Sequence, residues 1–128
     1  MAQADAIAFI SPVWWNHFPT ILKGWVERVF AYGFAYSLTE AGWTGDVEGR
    51  IPLLKLKKAL IINTLFFKEQ AYKDVGLKDA MRVSIDEWSL RYPGVQDVQH
   101  VYFHAIYAVD DETRKGWLQE AYRLGKDF

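Results

Sequence analysis

Three apolar runs with the character of buried strands alternate along the chain with segments of helical periodicity. The first run, residues 5–10, is almost continuously apolar, as is typical of a strand covered on both faces. The second lies within residues 58–64 and the third within residues 98–109. Strands of this kind separated by helices predict an α/β fold with a parallel sheet.

Three segments have the spacing of amphipathic helices. The first begins at Thr20, where apolar residues recur three and four positions apart, and stops before Gly33. The second is predicted over residues 77–92. The third runs over residues 110–125, and its acidic start favours a helix N-terminus.

The stretches between these elements are predicted to be irregular. Residues 37–56 read as one long loop, which in a compact domain is usually functional or mobile. Its glycines Gly42, Gly45 and Gly49 do not form a phosphate-binding pattern. Residues 66–75 are predicted to lack regular structure.

Composition narrows the class of protein. The 128 residues predict one domain, and the net charge of -1 without a basic stripe argues against a nucleic-acid partner. We expect no signal peptide and no membrane span, since no apolar stretch approaches the roughly 20 residues needed. The absence of cysteine excludes thiolate metal sites and fits a cytoplasmic location.

The first strand presents a problem of coverage. It has the composition of a strand buried on both faces, although little sequence precedes it. A three-stranded parallel sheet would leave an apolar edge, which is prone to association. We therefore expect this edge to be covered by another chain, a second copy or additional sequence.

An aromatic loop, residues 12–19 (PVWWNHFP), follows the first strand. Ligands of open α/β sheets bind outside the carboxyl ends of the strands, which is where this loop lies. Its backbone amides could meet a flat heteroaromatic ring, with Trp14 or Trp15 beside it. From the residues alone, packing of both tryptophans in a core or a subunit interface has equal weight.

The loop and the helix after it carry a family resemblance. The letters PVWW from residue 12, PTILKGWVERVF over 19–30 and GFAY over 33–36 resemble the flavodoxin-like NAD(P)H:quinone oxidoreductase family. Weaker similarity continues to the end of the chain. The resemblance implies a flavodoxin-like three-layer fold with a parallel sheet. Residues 1–128 would form a single partial domain that matches the C-terminal part and lacks the first two strands and the phosphate loop.

The resemblance also implies a function. Members reduce quinones or related acceptors by two electrons, using NAD(P)H and bound FMN or FAD. The cofactor carries the hydride chemistry, so no nucleophile or triad is needed and we assign no catalytic residue. The alternative is a truncated or split member without activity of its own, acting as an associating subunit. The implied partners are a second copy in a homodimer or a complementary N-terminal half.

Site residues follow from the same resemblance, position by position. The positions that match flavin-binding loops are Pro12, Val13, Trp14, Trp15, Asn16, Asn63 and Thr64. Leu65 and Phe66 stand where many relatives have glycines, so we expect a different path for the second loop. Tyr36 and Tyr72 match positions of the substrate pocket, and in the dimeric family Tyr36 comes from the partner subunit.

Three histidines are further candidates. His100 and His104 lie at even spacing in the third strand, but no third ligand accompanies them. We therefore expect structural, hydrogen-bonded histidines and no metal site. His17 lies in the aromatic loop and is expected to be solvated. The lysines at 55, 57 and 58 are expected to form a solvated face, with nucleotide-phosphate binding as the minority alternative.

Overall fold

The computed structural model describes residues 3–126 and 128 and contains a parallel sheet with helices on both faces. In chain order its elements are β1 (Ala6–Pro12), α1 (Thr20–Val29), β2 (Tyr36–Leu38), α2 (Glu40–Trp43), a 3₁₀ turn (Val47–Gly49), β3 (Arg50–Pro52), β4 (Lys58–Thr64), α3 (Glu69–Asp74), α4 (Leu77–Arg82), a π-helical segment (Val83–Arg91), β5 (Asp97–Phe103) and α5 (Asp111–Lys126).

The main sheet has the order β1-β4-β5 and both pairings are parallel, which confirms the predicted sheet type. β4 is the central strand and is buried from Ala59 to Asn63, as its apolar run predicts. The register places Ser11 beside Asn63 and Pro12 beside Thr64 at the carboxyl edge.

Each face of the sheet has its own core, because side chains of β4 alternate between the faces. Ile61 packs with Phe9 and Ile85 beneath α1 and the π-helical segment. Ile62 packs with Phe103 and Leu124 beneath α5. The two cores give the three-layer arrangement that the flavodoxin-like resemblance implies.

Several predicted boundaries are wrong. The third strand stops at Phe103, six residues before its predicted end, and Ala105 has a φ of +55°. By contrast, the helix predicted over 77–92 is present with nearly those bounds, as α4 continued by the π-helical segment. Residues 66–75 were expected to be irregular but contain α3.

The predicted long loop is partly ordered. β2 and β3 pair as an antiparallel ribbon, with α2 and the 3₁₀ turn between them. Two glycines allow this packing: a Cβ on Gly49 would lie 2.1 Å from the backbone nitrogen of Gly42. Gly42 and Gly49, which are not part of a phosphate-binding pattern, thus permit close backbone contact between α2 and the 3₁₀ turn.

β1 is an edge strand of the described sheet, and it is incompletely covered. Ile10, on the face of α5, is 74% exposed. This matches the expectation of an apolar edge.

Within residues 3–126 and 128, the structure shows no helix that is both long and apolar enough to cross a bilayer.

Candidate functional site

The aromatic loop forms a tight turn at the carboxyl end of β1. The Trp14 N–H donates to the His17 carbonyl at 3.0 Å, and the His17 N–H donates back at 3.1 Å. The two central residues, Trp15 and Asn16, have φ values of +49° and +64°. A type I′ turn requires positive φ at both positions, which tryptophan adopts rarely and at a cost of about 1–3 kcal/mol.

The turn places its tryptophans in solvent. Trp15 is 98% exposed and Trp14 is 59% exposed. Packing of these two side chains in the core of this chain, one of the alternatives left open by the sequence, is therefore wrong. Strain together with an exposed indole indicates a residue held for contact with another molecule.

The two predicted flavin loops meet at this edge. The Val13 N–H donates to the Thr64 carbonyl at 2.9 Å, and Pro12 lies opposite Thr64 in the sheet. The Leu65 N–H donates to the Phe103 carbonyl at 2.8 Å and extends the edge to β5. The structure thus brings together the residues predicted from positions that are far apart in sequence.

Asn63 differs from its neighbours at this edge because its side chain is wholly buried. Its amide nitrogen donates to the Ser11 carbonyl at 3.0 Å, and its amide oxygen lies 2.8 Å from His100 Nε2. The Nδ1 atom of His100 lies 2.6 Å from a carboxylate oxygen of the buried Asp86. Asn63 therefore faces inward, and its assignment to cofactor binding remains a prediction.

The second loop begins with a buried residue, and its expected difference in path from the relatives stays a prediction. Leu65 is buried against Tyr72 and Met81, and neither Leu65 nor Phe66 adopts positive φ. Phe66 is exposed, and its ring lies 4.9 Å from that of Phe67.

An aromatic rim at this edge was not predicted from the sequence. The exposed ring of Tyr107 lies 5.6 Å from that of Phe66. The position of Tyr107 shortly after β5 could have indicated it, but the third strand was predicted to extend to residue 109 and so included Tyr107. Together with Phe67, these rings add apolar surface beside the strained turn.

The two predicted pocket tyrosines have different surroundings, and Tyr72 lies in a buried cluster against which Val13, the residue before the turn, packs. Tyr72 is buried and its ring contacts those of Phe67 and His104. Tyr36 lines a cavity of about 340 Å³ with Tyr92. A separate cavity of about 320 Å³ lies between the turn and α1. The walls of both cavities include Lys23, but the structure does not join the tyrosines into one pocket with the turn.

His17 is an anchor of the turn, so its expected solvation is wrong. Its Nδ1 atom accepts the Phe18 N–H at 2.8 Å, which leaves the hydrogen of the neutral ring on Nε2. Nε2 lies 3.1 Å from the Ser84 hydroxyl oxygen in the π-helical segment. Burial lowers the pKa of His17, and the nearby charge of Lys23 lowers it further.

The expectation for His100 is confirmed, since it is buried and hydrogen-bonded through both ring nitrogens. Burial lowers the pKa of His104, which lies just beyond the strand. Among residues 3–126 and 128, no group of three or more candidate ligands is placed to hold a metal ion. Lys57 forms an exposed ion pair with Asp5 at 2.8 Å, consistent with a solvated face.

Comparison with known proteins gives the family. A family model described as having a flavodoxin-like fold matches residues 1–124. The chain belongs to this family. An uncharacterized NAD(P)H oxidoreductase of Haemophilus influenzae is 34% identical over 93% of the chain, and an FMN-dependent NADH:quinone oxidoreductase of Shewanella oneidensis is 33% identical over 88%.

A solved structure agrees with the sequence comparisons. An NAD(P)H:quinone oxidoreductase from Methanothermobacter marburgensis superposes on 96% of the chain with a TM-score of 0.82 and 32% identity. The match covers 58% of that protein, and the two sequence matches cover 55% and 50% of theirs. The chain therefore spans about half the length of the relatives it matches.

The described residues fit one part of a flavin. The turn offers an exposed aromatic side chain and backbone at the carboxyl edge, which suits a flat ring. The phosphate tail would need a glycine-rich cradle. Within residues 3–126 and 128, the clustered glycines lie in the β2–β3 ribbon, where Gly42 and Gly49 pack against each other.

Proposed function

We propose that this chain supplies the ring-binding wall of a flavin site in a quinone-reducing NAD(P)H oxidoreductase. The observation that carries the proposal is the meeting of the strained turn and the Thr64 loop at the carboxyl edge. The names of the relatives support it, because they include an FMN-dependent NADH:quinone oxidoreductase. FMN is therefore the first cofactor to test, and FAD is the second.

In the proposed site the bound flavin would supply hydride transfer from NAD(P)H to a quinone. Pro12 and Val13 would present backbone to the ring, and Trp14 and Trp15 would exclude water from it. Thr64 would present backbone from the end of β4, where its carbonyl oxygen lies 2.9 Å from the Val13 nitrogen. These residues orient the ring and control its hydration.

Tyr36 and Tyr72 are proposed to belong to the acceptor pocket. Tyr36 is partly exposed on β2, where a second copy of the chain could place it against the turn. Tyr72 is buried beneath Phe67, so it would act as the floor of the rim. The proposal includes a cytoplasmic location, since the sequence has no cysteine that requires an oxidising compartment.

A second candidate function is that of an associating subunit, and the α5 face favours it. An open groove of about 410 Å³ adjoins the free edge of β1, and its apolar lining includes Ile10, Ile62, Phe103, Trp117 and Leu118. An N-terminal half carrying a strand and a helix would extend the sheet and fill this groove. A second copy in a homodimer is the other partner that the proposal admits.

Flavin titration tests the ring wall. FMN is added to the chain alone and to the chain mixed with the N-terminal part of the Haemophilus influenzae relative, and flavin fluorescence is recorded. We expect a saturable change in the mixture that Trp15→Ala weakens at least about tenfold, the scale of one base–aromatic stacking contact. Trp43→Ala is the matched control, because Trp43 is exposed on α2, outside the proposed site.

Activity and association assays on the same mixture distinguish the two candidate functions. Quinone-dependent oxidation of NADH by the mixture would support the oxidoreductase function. Stable association without a flavin signal would favour the subunit function. If the mixture neither associates nor binds FMN or FAD, both proposals are contradicted.

A further inference from the structure

A buried polar network adjoins the carboxyl end of β1, just before the strained turn. Asn63, His100 and Asp86 are 0%, 8% and 6% exposed, and they come from β4, β5 and the π-helical segment. Polar groups are buried at a cost unless they are hydrogen-bonded, so three in contact within an otherwise apolar face require an explanation.

The direction of the hydrogen bonds in this network follows from Ser11. The Ser11 carbonyl can only accept, so the Asn63 group 3.0 Å away is its amide N–H. The amide oxygen of Asn63 must then face His100 Nε2, at 2.8 Å. Nε2 therefore carries a hydrogen, whichever of His100 and Asp86 holds the hydrogen between Nδ1 and the carboxylate at 2.6 Å.

Two neighbours contact this pair: Arg82 faces the carboxylate of Asp86, and the Tyr102 hydroxyl oxygen lies 3.1 Å from His100 Nδ1. The second oxygen of Asp86 lies 3.5 Å from Arg82 Nε, and the ring of Tyr102 stacks on that of His100 with centroids 4.1 Å apart. Burial raises the pKa of Tyr102, and the charge of Asp86 raises it further, so its hydroxyl keeps its proton.

The network ends at the residue that leads into the turn. Ser11 precedes Pro12, and the far end of the turn is held by the contact between His17 Nε2 and the Ser84 hydroxyl. Asp86 and Ser84 both belong to the π-helical segment. One element therefore contacts His17 in the turn directly and is connected through His100 and Asn63 to Ser11, three residues before the turn. Single-turn π insertions in helices are frequent at functional sites.

We propose that Asn63, His100 and Asp86 are positioning residues that hold the turn over residues 14–17 in its strained conformation. They act through Ser11, while Ser84 acts through His17. The inference rests on the proposed function only in naming this turn as the ring-facing wall. The anchoring itself is a property of the chain without any cofactor.

Hydrogen exchange in the flavin-free chain tests the anchoring. We expect Asp86→Asn to speed exchange of the Trp14 and His17 amides about tenfold relative to the Ile61 amide, because a buried partner is left imperfectly paired. Glu87→Gln, an exposed neighbour in the same segment, is the matched control and should leave these rates unchanged.

A second variant separates positioning from general stability. Replacing both partners, in D86A/H100L, removes the buried polar pair at nearly constant total side-chain volume, so the remaining loss of melting temperature should be that of one unpaired amide oxygen on Asn63. We expect the turn amides to exchange quickly nevertheless, because Asn63 has lost its partner. Recovery of slow exchange in this variant, or unchanged exchange in Asp86→Asn, would overturn the proposal.

Nitrogen-15 NMR gives an independent readout. His100 Nε2 should carry a hydrogen in the folded chain, and an unprotonated Nε2 would overturn the proposed bond direction. None of these measurements involves flavin. A failure of flavin binding and a failure of the anchoring are therefore distinguishable.

Discussion

The two faces of the sheet differ in how completely this chain covers them. Beneath α1 and the π-helical segment, eleven of the described apolar residues are buried in one cluster, and the polar residues Asn63, His100 and Asp86 bond to one another. Beneath α5, the core is smaller and ends in an open groove where Ile10 is exposed. The same strands thus form one closed face and one partly open face.

The largest expected effect contrasts one isoleucine from each face. Ile61→Ala should destabilise the chain by about 2–5 kcal/mol, because Ile61 is fully buried and its removal leaves a cavity. Ile10→Ala should change the free energy of unfolding by less than about 0.5 kcal/mol in the isolated chain. Denaturant unfolding of both variants measures the difference, and similar losses would show that the α5 face is already closed.

For association with a partner, in contrast to stability, substitution of Ile10 should have the large effect. Ile10→Lys places a charge in the groove and should weaken association with an N-terminal half or a second copy by about tenfold or more. Ile21→Lys, at an equally exposed position on α1, is the control. Light scattering with size-exclusion chromatography measures the effect, and equal behaviour of the two variants would contradict a docking role for the groove.

A smaller effect is expected at the turn between the faces. Trp15→Gly should stabilise the chain by about 1 kcal/mol, because glycine adopts positive φ without strain, and should weaken flavin binding. Asn16→Gly relieves strain at the neighbouring position but keeps the indole, so it should retain binding. Chemical denaturation and FMN titration check the pair; a loss of stability in both variants would show that the turn is unstrained.

The smallest effect concerns a largely exposed ion-pair cluster that joins α3 to α4. Lys78 Nζ lies 2.5 Å and Lys73 Nζ 3.1 Å from a Glu69 oxygen, and these bonds lower the pKa of Glu69 from 4.5 to about 2. Because the folded-state pKa is depressed, this contribution to stability is complete above about pH 4.5 and is lost as the pH falls towards 2.

Glu69→Gln should therefore lower the melting temperature slightly at pH 6 and leave it unchanged near pH 2. Glu40→Gln, on the exposed α2, is the control. A Glu69→Gln effect that persists at the acid end would show that the side chain stabilises by packing instead of charge. Exposed pairs contribute little, so the change should remain the smallest of the series.

Sequence reasoning was accurate where local pattern decides structure. The apolar run of β4 was placed at its observed bounds, and α1 began at the predicted Thr20, because both patterns reflect burial directly. It was wrong where backbone pairing between distant residues decides. β2 and β3 have three residues each, which is too short for a periodic signal, and they are defined by pairing with each other. The early end of β5 also depends on contacts between distant residues.

By itself, the sequence determined the α/β class, the parallel sheet, the family and the position of the aromatic loop after β1. Only the tertiary structure decided what the loop residues do. In the folded chain Trp15 is exposed at positive φ, the side chain of Asn63 is buried, and Asp86 is hydrogen-bonded to His100. The physical reason is that burial and hydrogen-bond partners are shared between elements distant in sequence, so no local pattern specifies them.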